Sequence, residues 1–63
     1  MIVQHDRPQE REALVHDRSA ARFERHAALL DRYGARRSAN TERLHAAEER
    51  KMAQAARRAP GRG

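Results

Sequence analysis

The chain contains no cysteine and no tryptophan, and among its 63 residues there are one phenylalanine, one tyrosine, three glycines and two prolines. Without cysteine there is no disulfide framework and no thiolate metal site, the usual reinforcements of very small secreted domains. No apolar run exceeds the four residues 27–30, far short of the roughly 20 needed to span a membrane. The N-terminus also lacks a basic stretch followed by an apolar one, so no secretory leader is expected. Together these absences point to a cytoplasmic or virion-interior setting and to a protein that is not secreted and has no membrane span.

Large apolar side chains are scarce too. Thirteen of the hydrophobic residues are alanine, leaving Met1, Ile2, Val3, Leu14, Val15, Phe23, Leu29, Leu30, Tyr33, Leu44 and Met52. A chain of about 60 residues buries only about 60% of its unfolded surface on folding. A self-sufficient catalytic core is therefore not expected, and a partner is.

What is abundant is arginine: 13 residues, with one lysine, against nine acids, for a net charge of +5. Residues 1–34 hold six arginines and six acids, so the excess lies in residues 35–63, with seven arginines and Lys51 against three glutamates. A cationic half of this kind suits phosphates or an acidic protein face.

Few residues interrupt a helix. Met1 to His5 reads as part of an N-terminal arm over residues 1–7. Asp6 and Gln9 have capping-box spacing, and Pro8 falls in a first helical turn, where its missing amide proton costs little. A first amphipathic helix is predicted over residues 8–34, closed by Gly34, and a turn over 35–40, with Ser38 and Asn40 as candidate caps. A basic second helix over 41–59 follows. Pro60, Gly61 and Gly63 end it, leaving a cationic tail over 60–63 that contains Arg62.

The strongest internal signal is a seven-residue repeat of acid-arginine dipeptides at Glu10-Arg11, Asp17-Arg18, Glu24-Arg25 and Asp31-Arg32. Ala13, Ala20, Ala27 and Gly34 keep the same spacing, as do Gln9, His16, Phe23 and Leu30. In heptad terms these two series fill the a and d positions of a coiled-coil seam, and the arginines point away from a partner helix. The dipeptide returns at Glu42-Arg43 and Glu49-Arg50, displaced by four residues, the mark of a chain reversal or of a stutter. The expected fold is all-α: a helical hairpin of two antiparallel helices, which could pair into a dimeric four-helix bundle, with one long bent helix as the alternative. Continuing the register into the second helix puts His45, Met52 and Ala59 at a, and Thr41, Glu48 and Ala55 at d.

The helix-packing or partner interface is assigned to Ala13, Val15, His16, Ala20, Phe23, Ala27, Leu29, Leu30 and Tyr33, with Val15, Leu29 and Tyr33 on a flank that suits self-association or a host. A histidine in the seam, such as His16, would tighten association as it loses its proton, since imidazole titrates near about 6.5.

No catalytic constellation is found. Ser19 and Ser38 lack a nearby base, there is no glycine-rich phosphate loop, and the Glu-x-x-His spacing of Glu42 and His45 is a single weak pair. Neither a cofactor nor a metal is expected. Contacts to phosphate or an acidic partner are assigned to Arg36, Arg37, Arg43, Arg50, Lys51, Arg57, Arg58 and Arg62, of which Arg36, Arg43, Arg50 and Arg57 form a rail at seven-residue intervals. Guanidinium groups grip phosphate with paired donors. Sequence-specific reading is not expected, because this half has no aromatic residue to stack on bases and no finger or helix-turn-helix pattern. The expectation is a small non-enzymatic helical accessory or adaptor protein, docked on itself or on a larger protein or nucleoprotein assembly. The alternatives are a sequence-nonspecific RNA- or DNA-binding protein and a small structural component of a viral particle.

Overall fold

The computed structural model describes residues 8–59, which form two antiparallel helices, α1 (Pro8–Arg32) and α2 (Arg36–Arg58), packed along their length. There is no strand among the described residues. The hairpin is thus the arrangement adopted, in place of one bent helix. Neither helix is long and apolar enough to cross a membrane. The predicted arm over 1–7, with the Asp6 cap, and the tail over 60–63, with Arg62, lie outside the described residues.

The reversal is built on Gly34. Its φ of +80° lies in the left-handed region, a backbone conformation that residues with a Cβ rarely adopt. The amide of Ala35 donates to the carbonyl of Leu30 at 2.9 Å, and that of Gly34 to Asp31 at 3.0 Å. These two bonds are the six-to-one and five-to-two pair of a Schellman ending. The turn is shorter than predicted: α2 starts at Arg36, not at residue 41. Ser38 and Asn40 are therefore inside the helix, not caps, and Ala35 precedes it without a side-chain cap. The carbonyl of Ala35 accepts from Ala39, so the Schellman turn runs straight into the second helix.

Among the described residues only alanine is buried. Ala13, Ala20 and Ala27 of α1 meet Ala39, Ala46, Ala53 and Ala56 of α2, and no larger side chain is fully enclosed. With only methyl groups in between, two helices can approach closely, and the alanines recur every seven residues in each helix, as a continuous seam requires. His16, Phe23 and Leu30 are half-buried beside the α1 alanines.

The register of α2 differs from the expected one. His45, Met52, Ala59, Thr41, Glu48 and Ala55 are all exposed, and the seam instead uses the residues one position later, with Glu42 and Glu49 half-buried beside the alanines. Charge explains the one-residue rotation. In the expected register Glu42 and Glu49 would stand against the acids on the α1 flank; rotated, α2 offers Arg43, Arg50 and Arg57 to those acids. Like charges are separated and opposite ones joined.

Candidate interaction surfaces

The hairpin has two faces, distinguished by what crosses the seam. On one, the α1 carboxylates meet the α2 guanidiniums in a ladder. Arg43 pairs with Asp31 and also donates to Asn40 Oδ1. Arg50 forks onto Glu24, Nη2 to Oε1 at 2.7 Å and Nε to Oε2 at 3.1 Å, and its Nη1 stands 3.7 Å from Asp17. Arg57 reaches Glu10 through Nε at 3.3 Å and Asp17 through Nη2 at 2.9 Å. The Arg50 hydrogen bond holds the Glu24 carboxyl below its ordinary pKa, and the Glu24 and Asp17 carboxylates raise Arg50 and Arg57 respectively.

On the other face the crossing groups are imidazoles and carboxylates. The Nδ1 of His16 lies 2.6 Å from Glu49 Oε1, with both side chains 23% exposed; since a carboxylate only accepts, Nδ1 is the donor. His26 Nδ1 stands 3.5 Å from Glu42 Oε2, whose other oxygen is shielded and unbonded. The ring of Phe23 packs on His45 with centroids 5.1 Å apart, tilted by 58°. His16 thus has a carboxylate partner in the seam.

The residues assigned to phosphate or acidic partners divide. Arg43, Arg50 and Arg57, most of the predicted rail, are held by carboxylates of the same chain. Arg36, Arg37, Lys51 and Arg58 have no ion-pair partner among the described residues, and neither do Arg18, Arg22, Arg25 and Arg32 of α1. Once the ladder has taken up Glu10, Asp17, Glu24 and Asp31, the free positive charge is spread over the outer edges of both helices, where Arg18, Arg25 and Arg32 keep the seven-residue spacing. Linear charge counting missed this row, because the four acids of the same repeat cancelled it. Among the described residues no group of three or more histidine and acidic side chains is placed to hold a metal ion.

The residues assigned to packing or docking divide as well. Ala13, Ala20 and Ala27 form the seam and His16, Phe23 and Leu30 border it. Val15, Leu29 and Tyr33 face solvent, at 62%, 46% and 80% exposure, together with Leu14, Leu44 and Met52. On the outer side of α1 a shallow groove runs between Arg25, His26, Ala28, Leu29 and Arg32.

No protein-family model, curated protein or solved structure matches this chain.

Proposed function

We propose that the chain is a small, non-enzymatic helical docking protein, which uses the large apolar side chains of its first helix to pack on itself or on a larger assembly and carries free cations on its outer edges toward an acidic surface. One observation carries this: the hairpin buries only alanine, while Leu14, Val15, Leu29, Tyr33, Leu44 and Met52 stay exposed. Scattered exposed apolar residues are ordinary in a soluble protein. A hairpin that fully encloses none of the large apolar residues among the described ones has no core there beyond the seam, and a single layer of two helices is half of the two-layer construction that stable domains use.

The test is association of the purified chain, with itself or with captured host proteins, compared with a Leu29→Ser/Tyr33→Ser variant at two salt concentrations. The expected result is loss of association in the variant, unchanged helix content, and little response to salt. Association that survives the variant but disappears between about 50 and 200 mM salt would overturn it, since steep salt dependence is the signature of phosphate contacts.

That second outcome belongs to a reading with its own support, the row Arg18, Arg25 and Arg32. Residues seven apart on a helix lie about 10.5 Å from one another, and three unpaired guanidiniums at that spacing suit a polyanion backbone bound without regard to sequence.

A further inference from the structure

We infer that the outer face of α1 is the docking site for an α-helix of another protein, one that carries an acidic residue at every seventh position. The inference deepens the docking function proposed above by naming the class of partner, and it rests on that reading.

Charge is segregated around α1. With the alanine series at a, the outward positions b, c and f between Arg11 and Arg32 hold five arginines, the large apolar residues Leu14, Val15 and Leu29, and the alanines Ala21 and Ala28. No acid and no neutral polar residue is among them, although the helix has five acids. Arg18, Arg22, Arg25 and Arg32 have no ion-pair partner among the described residues. Leu14, Val15 and Leu29 are 45%, 62% and 46% exposed.

Shape points to a helix as the occupant. The groove on this face is formed by Arg25, Ala28, Leu29 and Arg32, with His26 also lining it. Four residues at i, i+3, i+4 and i+7 make the hole that receives one side chain of a neighbouring helix in coiled-coil packing. The same diamond recurs one heptad earlier at Arg18, Ala21, Arg22 and Arg25, and once more at Arg11, Leu14, Val15 and Arg18. Holes in line about 10.5 Å apart accept side chains spaced seven residues apart on a second helix.

Charge sets the partner's sign. Each hole has a guanidinium at both of its ends along the axis, so a helix seated there needs acids at seven-residue spacing beside its apolar knobs. The other flank of α1 already pairs this way with the signs exchanged, its acids meeting Arg43, Arg50 and Arg57 of α2. A second copy has no such row to offer, because Glu10, Asp17, Glu24 and Asp31 are held in the ladder and Glu42 and Glu49 are half-buried beside imidazoles. A nucleic acid engages the guanidiniums through its phosphates and leaves Leu14, Val15 and Leu29 without a contact. A lipid surface takes an apolar stripe with its cations on the opposite side, whereas here the row Arg18, Arg25 and Arg32 runs between the apolar residues of b and c.

The experiment measures binding of the full chain to three labelled probes by fluorescence anisotropy. The first is an alanine-rich helical peptide of about 21 residues, long enough to follow the face for about 31 Å, with a leucine and a glutamate four residues apart in every heptad. The second has the same composition with the spacing scrambled, and the third is a short DNA duplex. The heptad peptide should bind at least tenfold more tightly than the scrambled one. Arg25→Glu should weaken it at least tenfold, and Leu29→Ser, which leaves the charge intact, at least threefold, both with unchanged helix content. Lys51→Glu, the same change of net charge on the outer edge of α2, should change it less than twofold. Equal binding of the scrambled peptide, an equal loss with Lys51→Glu, tighter binding of the duplex than of the heptad peptide, or no peptide binding overturns the inference. If no peptide binds while the chain still associates through Leu29 and Tyr33, the acidic helix is removed and the docking function stands; if that association is absent too, both are removed.

Discussion

The guanidinium of Arg57 bridges two acids one heptad apart on the opposite helix, with Nη2 2.9 Å from Asp17 and Nε 3.3 Å from Glu10. Arg50 repeats the relationship one heptad along, between Glu24 and Asp17. Single exposed ion pairs contribute little, but a chain of shared pairs favours this register over the one expected from the sequence, in which Glu42, Glu49 and Ala56 would stand where Arg43, Arg50 and Arg57 do.

Charge reversal at one rung should therefore lower the melting temperature, and reversing both partners should restore part of it. Arg50→Glu is expected to melt below wild type, and Glu24→Arg/Arg50→Glu above Arg50→Glu. The gap between the single and double variants should narrow in high salt, as screening reaches these exposed groups. Equal melting temperatures for the single and double variants would show that the ladder does not hold the register.

Acid should loosen the hairpin. The Glu24 carboxyl is held below its ordinary value of 4.5 by the Arg50 hydrogen bond. A carboxyl with a depressed folded pKa contributes stability that is present above its unfolded pKa and lost as pH falls through the folded one. Thermal melts should hold steady from pH 7 to about 5 and fall below about 4.5; a melting temperature that rises on acidification would contradict the ladder's role.

The alanine seam should tolerate no enlargement. Ala46 is buried between the helices and its neighbour Ala47 is exposed. Ala46→Leu is expected to cost about 1–3 kcal/mol by forcing the helices apart, while Ala47→Leu should be nearly neutral. Denaturant unfolding of the two variants compares them directly, and equal stabilities would count against close packing at the seam.

Gly34→Ala should cost about 1–2 kcal/mol, the penalty for a Cβ in the left-handed region. Nothing lies within 4 Å of where that Cβ would be, so the cost is one of backbone conformation and not of collision. A variant as stable as wild type would show that the turn relaxes to another geometry.

Much of this architecture was legible in the sequence. The all-α hairpin, the reversal at Gly34 and the α1 alanine series follow from breaker placement and a seven-residue repeat, which are local properties. The phase of α2 was not, because the acid-arginine dipeptide looks the same in both helices while only one of its two residues can face the seam-side flank. Which one is decided by the charge already on α1 at that flank, a tertiary relationship. The same relationship moved Arg43, Arg50 and Arg57 from free cations to structural ones and left Arg18, Arg25 and Arg32 as the unpaired row. The half-burial of Glu42 and Glu49 was hidden for a related reason: it is tolerable only because His26 and His16 arrive from the other helix.

The most direct test of the central claim, that this alanine-seamed layer is completed by covering its large apolar side chains, is thermal melting followed by circular dichroism at two chain concentrations a hundredfold apart. If copies of the chain cover one another, the midpoint rises with concentration by mass action; if a host does, the lone chain is weakly helical at both. A cooperative melt with a high midpoint that does not change with concentration would contradict the claim, because the isolated hairpin would then be complete without any partner.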